Sequence, residues 1–304
     1  MTGDANGDAT TVAVLGIGRM GGAMAGRLAA CGLDVVLYNR SPEPAQALAA
    51  SIGARVAATP AEAVAGSAVA ISMVSDDAAV HDLFEGPTGA LAGLDSRTVA
   101  VDMSTVLPGT IQGLEAAVRA TGAGILDAPV SGSVAFAASG GLTIMVGGSP
   151  ADVERARPVL EQLGQRVIHL GPLGAGATVK LAVNTVIYGL NQALSEALVL
   201  AERAGVDRAT AYDVIRSSAA GAPFVEYKRA AFIEPDSTPT AFALALAEKD
   251  LELILELAAA VGTEVPQART NLELVRRAGS GDPGRDIASI AAYLRESGSV
   301  GGRG

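Results

Sequence analysis

Along roughly the first half of the chain, short apolar runs rich in β-branched residues alternate with alanine-rich stretches of helical period. Thr11–Leu15, Val35–Tyr38, Ala68–Met73, Thr98–Asp102 and Ile125–Asp127 have the length and composition of buried strands. Segments near 20–31, 42–51, 60–65, 76–84 and 107–120 read as the helices between them. Pro42, Pro60 and Pro108 fall at or near the predicted helix starts, where a missing N–H does no harm. This alternation predicts an α/β fold with a Rossmann-type, doubly wound parallel sheet. Leu142–Val146 and Val167–Leu170, with a helix from about Pro150 between them, are expected to extend that sheet.

After Gly171-Pro172-Leu173-Gly174 the pattern changes. Residues 176 to about 204 read as one long apolar helix. Further helices follow near 207–217, 223–232, 240–261, 265–278 and 284–296, with no convincing strand. The expected organisation is a polar, disordered tail over 1–10, a dinucleotide-binding domain over 11–171, an all-α domain over 172–297, and a glycine-rich flexible tail over 298–304. The first ten residues lack the basic start and apolar stretch of a signal peptide. Lys180, Asn184, Asn191, Ser195 and Glu196 interrupt the long helix, so it lacks the ~18 apolar residues of a membrane span. Burial at a domain or subunit seam fits it better, and a homodimer or homotetramer is expected.

Composition removes several chemistries. The net charge of −10 opposes binding to nucleic acid or anionic membranes. A single cysteine, Cys31, excludes a disulfide framework and a thiolate zinc site. The two histidines, His81 and His169, have no partner at metal spacing, so no metal site is expected. A cytoplasmic setting is consistent with this cysteine usage.

The strand Thr11–Leu15 leads into Gly16-Ile17-Gly18-Arg19-Met20-Gly21, a G-x-G-x-x-G that opens a helix. Such glycines allow a tight turn, backbone approach to a pyrophosphate, and close helix–strand packing. The helix N-terminus then offers N–H groups and a partial positive charge. An acid at the end of the second strand would accept from a ribose 2′-hydroxyl. Tyr38-Asn39-Arg40-Ser41 stands there instead. Arg40 can meet a 2′-phosphate with paired donors, Asn39 and Ser41 can add hydrogen bonds, and no carboxylate repels it. NADPH is therefore the expected cofactor, bordered also by Met73 and Val74.

The chain has three lysines, Lys180, Lys228 and Lys249, against nineteen arginines. Lysine suits proton transfer because burial can lower its pKa. Lys180 and Asn184 share one face of the long helix, and Asn191 and Ser195 continue the stripe, which is expected to line a cleft. A lysine snorkelling from a domain seam is the alternative. Asp127-Ala128-Pro129-Val130-Ser131-Gly132-Ser133 follows a predicted strand, at the sheet edge where ligands bind in such folds. The Ser131–Ser133 backbone and hydroxyls could hold a carboxylate; alone, the segment would read as an ordinary turn.

Five segments occur together in order: GIGRMGGAMA (16–25), DAPVSGS (127–133), LTIMVGG (142–148), GAGATVKLAVN (174–184) and KDL (249–251). Together they resemble the β-hydroxyacid dehydrogenase family, which includes 3-hydroxyisobutyrate dehydrogenases and glyoxylate/semialdehyde reductases. The resemblance implies a small carboxylate-bearing aldehyde or hydroxy acid as substrate. It implies Lys180 as catalytic lysine, with Asn184 positioning substrate. By the same resemblance, Ser131 and Gly132 would bind the substrate carboxylate, beside Ser133, and Thr105 would contact cofactor or substrate near the nicotinamide. It also implies that Lys249 and Asp250 close the site at the cofactor and that Phe242 lines it. Imine reductases share the glycine loop and the Asn-Arg strand end, but by resemblance carry aspartate or tyrosine in place of Lys180. Phosphogluconate dehydrogenases typically have a longer helical domain. A non-catalytic NADPH-binding scaffold is the alternative of another class.

The Arg40 assignment yields a kinetic expectation. Arg40→Ala should raise the KM for NADPH at least about tenfold and that for NADH much less. Steady-state kinetics with both cofactors test this, and equal effects would contradict it.

Overall fold

The computed structural model describes residues 10–297. Apart from Thr10, both tails expected to be disordered lie outside the described residues. The chain forms two compact units that divide between Lys180 and Leu181.

The first unit contains a nine-stranded sheet. In chain order the strands are β1 (Thr11–Leu15), β2 (Asp34–Tyr38), β3 (Arg55–Val56), β4 (Val69–Ser72), β5 (Val99–Asp102), β6 (Gly124–Asp127), β7 (Val130–Ser131), β8 (Leu142–Gly148) and β9 (Gly164–Gly171). The helices are α1 (Arg19–Ala30), α2 (Pro42–Ile52), α3 (Pro60–Val64), α4 (Asp77–Glu85), α5 (Pro108–Ala120), α6 (Val134–Ser139) and α7 (Pro150–Leu163). Strands β3, β2, β1, β4, β5 and β6 lie side by side in parallel. The order reverses at β1, which pairs with β2 on one side and β4 on the other. A crevice at such a reversal, at the carboxyl ends of the strands, is where this architecture binds ligands.

Alternation along the strands divides the packing between two cores. Val12, Val14, Leu37, Ile71 and Val101 face one side, with Met24 and Leu28 of α1 and Leu160 of α7. Ala13, Leu15, Ala70, Ala100 and Ile125 face the other, with Val64 of α3, Phe84 of α4 and Leu114 of α5. Both faces of the sheet are thus covered, as a parallel sheet requires. Aliphatic side chains do nearly all of this packing, and each fully buried Val or Leu contributes ~1.5–3 kcal/mol.

One expectation about the sheet needs correction. The 142–146 segment does not extend the parallel series: β8 runs antiparallel to β6 and β7. The pairs Leu126↔Gly148, Asp127↔Gly147, Val130↔Ile144 and Ser131↔Thr143 keep a single register. Strands β6 and β7 are therefore one strand, broken where Pro129 has no N–H for the ladder. The Pro129 carbonyl still accepts from Met145 N at 2.9 Å. The physical reason lies in the connection. Residues 132–141 hold only the short helix α6, enough for a hairpin but not for a parallel crossover, which takes a dozen or more residues. Strand β9 then pairs parallel to β8.

Helix α8 (Ala175–Arg203) starts in the first unit. Asp127, at the end of β6, anchors its N-terminus. Gly174 N donates to Oδ1 and Ala177 N to Oδ2, each at 2.7 Å. A carboxylate at the positive end of a helix is favoured electrostatically and also satisfies two otherwise orphaned donors.

The second unit is helical: the rest of α8, then α9 (Arg208–Ser217), α10 (Pro223–Ile233), α11 (Leu244–Ala260), α12 (Pro266–Gly279) and α13 (Ile290–Ser297). Asp286 is one of its organising points. It accepts from Lys228 Nζ at 2.7 and 2.8 Å, and from the backbone N–H groups of Ala241, Phe242 and Ala288. Burial alone would raise the Asp286 pKa; the Lys228 charge and these hydrogen bonds outweigh it and hold the carboxyl below its usual range. The segment before α11 is consequently not helical from 240: the Asp286 carboxylate accepts from the N–H groups of Ala241 and Phe242, and Ala243 forms an isolated antiparallel bridge with Asp286. The polar stripe on α8 also differs from expectation. Asn191 Nδ2 donates to Ile287 O at 3.1 Å, and Ser195 Oγ donates back to Asn191 O at 2.7 Å. Both are buried, and each spends its side-chain donor on a backbone carbonyl. Among the described residues no helix is long and apolar enough to cross a membrane.

Removing the Asp127 anchor should cost stability. Asp127→Ala leaves the Gly174 and Ala177 N–H groups without their acceptor, an expected loss of ~2–3 kcal/mol. Urea unfolding followed by circular dichroism measures this, and an unchanged midpoint would contradict it.

Candidate active site

The glycine loop leaves β1 where the strand order reverses. Gly16 N donates to Tyr38 O at 2.9 Å, which ties the loop to the end of β2. Gly16 has φ +99°, and a Cβ there would stand 2.3 Å from Met73 O. A Cβ on Gly21 would stand 2.0 Å from Gly16 O, whereas one on Gly18 would meet nothing within 4 Å. Two glycines therefore allow close packing, and the third faces open space. Helix α1 starts at Arg19 with no side-chain cap and no acid in its first turn. Open room over Gly18 beside an uncapped helix N-terminus fits the diphosphate of a dinucleotide. Ile17 is buried, Met20 half-buried and Arg19 exposed.

The end of β2 braces this loop. Asn39 Oδ1 accepts from Ile17 N at 2.8 Å, and Asn39 Nδ2 donates to Ser41 O at 2.8 Å. Asn39 thus spends its amide on loop and strand end, a role that spacing alone did not reveal. Arg40 and Ser41 are exposed beside it.

The carboxyl ends of the central strands align in one row: Leu15, Ser72, Asp102 and Asp127 are register partners. Ser72 Oγ donates to Asp102 Oδ1 at 2.6 Å, and Ser104 Oγ donates to the same oxygen at 2.9 Å. Ser104 Oγ in turn accepts from Val74 N at 3.0 Å. Met73 N donates to Leu15 O at 2.8 Å. These bonds hold Met73 and Val74 against the glycine loop, where Met73 O and Val74 Cγ1 crowd the Gly16 α-carbon. Thr105 follows Ser104 and is half-buried. The other oxygen of Asp102, Oδ2, is buried and finds no partner among the described residues. Burial pushes the Asp102 pKa up to about 6; the serine hydroxyls lower it in part, and the charge of Asp127 adds to the rise. Burial likewise raises the Asp127 pKa, against the opposing N–H bonds of Ala177 and Gly174. Asp102 was not among the residues singled out from sequence. Its signal was an acid closing an otherwise apolar strand.

Ser131, Gly132 and Ser133 lie on the continuation of β6 through β7, about 13 Å of strand past Asp127. Ser131 pairs with Thr143 in the hairpin. Gly132 has φ +140°, a backbone open to glycine. Ser133 caps α6, its hydroxyl accepting from Phe136 N at 3.4 Å.

Lys180 is half-buried on α8, one turn before buried Asn184. Within the second unit, Asn184 Nδ2 and Tyr188 Oη both donate to Asp250 Oδ2, at 2.8 and 2.6 Å. Lys249 Nζ stands 2.9 Å from Asp250 Oδ1. The Phe242 ring packs on Tyr188 with centroids 6.3 Å apart. The structure thus brings together Asn184, Phe242, Lys249 and Asp250, and adds Tyr188, which sequence reasoning missed. Tyr188 continues the i, i+4 series from Lys180 and Asn184, which was the available signal. The histidines are engaged elsewhere: His81 with Glu85, and His169 with the carbonyls of Gly148 and Gly171.

Comparison with known proteins agrees with this geometry. Residues 11–171 match the family described as the NAD binding domain of 6-phosphogluconate dehydrogenase. Residues 174–294 match the NAD-binding domain of NADP-dependent 3-hydroxyisobutyrate dehydrogenase. The 3-hydroxyisobutyrate dehydrogenase of Pseudomonas aeruginosa is 34% identical over 295 residues, covering 94% of this chain and 99% of the relative. Glyoxylate/succinic semialdehyde reductase 2 of Arabidopsis thaliana is 32% identical over 286 residues, covering 94% and 79%. The solved structure of Mycobacterium tuberculosis 3-hydroxyisobutyrate dehydrogenase with L-serine superposes with a TM-score of 0.83 at 31% identity, covering 94% and 99%. The glycine loop, the sheet and these relatives define a nicotinamide-dependent oxidoreductase acting on a CH–OH group with NAD(P). Within that class, the chain belongs to the 3-hydroxyisobutyrate dehydrogenase-like β-hydroxyacid dehydrogenase family.

The buried Asp102 makes stability depend on pH. Its folded pKa of about 6 lies above the unfolded value of ~3.9, so the native state binds the proton more tightly. The associated stability is complete below pH ~4 and is lost as pH rises through 6. Asp102→Asn removes this titration. Wild-type stability relative to the variant should therefore fall by roughly 2–3 kcal/mol across that window. Urea unfolding from acid to neutral pH tests this, and parallel profiles would contradict it.

Proposed function

We propose that this chain is an NADPH-dependent enzyme interconverting a small carboxylate-bearing aldehyde or keto acid and the corresponding hydroxy acid, with Lys180 moving the proton. The observation that carries the reading is the place of Lys180 on α8: half-buried, one turn before buried Asn184, and within two turns of the helix start that Asp127 anchors. Lys180 is assigned to proton transfer.

The nicotinamide, when bound, supplies or accepts the hydride. The chain's own residues do the rest. The loop Gly16–Gly21 and the start of α1 hold the diphosphate, with Asn39 bracing Ile17. Arg40 and Ser41 take the 2′-phosphate, and the lack of a carboxylate among residues 38–41 favours NADPH over NADH. Met73, Val74 and Thr105 border the nicotinamide end. Ser131 and Gly132, beside Ser133, take the substrate carboxylate. In reduction the Lys180 ammonium donates a proton to the oxygen developing negative charge at the former carbonyl; in oxidation the neutral amine accepts it. Asn184 orients the substrate, and Phe242, Lys249 and Asp250 close the site.

We further assign a homodimeric or homotetrameric state. The support is the apolar exposure of α8, where Val186 is 69% and Leu200 72% exposed. The DAPVSGS segment together with Lys180 favours a carbonyl over an imine substrate.

Lys180→Ala should lower kcat at least about a hundredfold while leaving NADPH affinity near normal. Turnover of a panel of aldehyde acids and cyclic imines, with NADPH binding followed by fluorescence, measures both. Retained turnover would refute the proton-transfer role.

A further inference from the structure

Tyr188 is buried one turn after Asn184 on α8, and both side chains donate to a single oxygen, Asp250 Oδ2. Lys249 takes the other oxygen. A carboxylate can only accept hydrogen bonds. The orientation of the Asn184 amide is therefore set: its nitrogen faces Asp250, and its Oδ1 is the group it offers elsewhere. The Tyr188 phenol is held as a donor. Burial, and secondly the charge of Asp250, raise its pKa well above the usual value. Phe242 packs against its ring, so the hydroxyl has little freedom to leave the carboxylate.

We propose that Tyr188 is a positioning residue that locks Asp250, so that Asn184 presents a hydrogen-bond acceptor to the substrate. This rests on the proposed substrate role of Asn184. An acceptor at that point selects a substrate oxygen that carries a hydrogen. A hydroxy acid has one, which rests on Asn184 Oδ1 when the alcohol binds and turns to the Lys180 amine when the proton leaves; an aldehyde carbonyl has none. Tyr188 thereby favours binding of the alcohol over the aldehyde of the same redox pair. Without its hydroxyl, Oδ2 keeps one donor, the carboxylate can rotate, and the amide can turn its nitrogen outward. That nitrogen would suit a carbonyl as well as a hydroxyl.

Tyr188→Phe tests this while keeping the ring that packs on Phe242, and the thermal midpoint serves as the check on folding. The KM for the hydroxy acid should rise about fivefold or more. The KM values for the aldehyde acid and for the nicotinamide cofactor should stay within about twofold. Hydrogen exchange of the Asn184 side-chain amide, followed by NMR, should be slow in the wild type and faster in the variant. A hydroxy-acid KM that stays near the wild-type value would overturn the proposal. So would all three KM values rising together, or an unchanged amide exchange rate. The exchange measurement needs no turnover. It therefore decides the orientation of Asn184 even if Lys180→Ala retains activity and the catalytic reading fails.

Discussion

The bond between Asp127 and the start of α8 is the constraint on which the rest of the first unit depends. One carboxylate accepts from Gly174 N and Ala177 N and thereby joins the carboxyl end of β6 to the helix that carries Lys180. Lys180 lies within two turns of that anchor, about 8 Å along the axis. The same strand continues through Pro129 to Ser131. A single strand therefore sets both the lysine and the serine loop. The glycine loop meets this arrangement through the register row Leu15, Ser72, Asp102 and Asp127.

Much of this was legible in the sequence, and the reason is local. Strand β1 was bounded as found, because Thr11 and four apolar residues running into a glycine turn leave little choice of ends. The G-x-G-x-x-G spacing expresses steric demands within a few residues, visible as the crowding around Gly16 and Gly21. What escaped notice depended on partners distant in the chain. The direction of β8 depends on how far residues 132–141 can reach. Asn191 and Ser195 resembled a cleft-lining stripe because Ile287, which accepts from Asn191, is nearly a hundred residues away. Asp102 became notable only once Ser72 and Ser104 were placed beside it. Tyr188 needed Asp250 in the same way.

Buried acids recur in this molecule, and each is satisfied differently. Asp127 relies on backbone N–H groups at a helix end. Asp286 combines a lysine with three backbone donors. Asp250 gathers an amide, a phenol and a lysine. Asp102 has two hydroxyls on one oxygen and no partner for the other. Removing a carboxylate from water is costly unless donors replace the solvent, which sets the opposite pKa directions of Asp286 and Asp102. Asp286, with a lysine and three N–H groups, is held low, and Asp102, with hydroxyls alone, is pushed up.

The unbroken register of β6 and β7 against β8 also bears on how such a chain can diversify. The hairpin is pinned on both sides of its tip, at Ser131↔Thr143 and at Asp127↔Gly147. Residues 134–139 lie within that tip. Ala137 is fully buried in the core, so only the exposed positions of the tip, such as Phe136, can be exchanged without disturbing the packing behind them. An insertion between Asp127 and Ser131, by contrast, would turn the serine loop to the opposite face of the sheet. Variation is thereby confined to the exposed positions of the tip, while the strand pairing and the helix anchor are inherited intact.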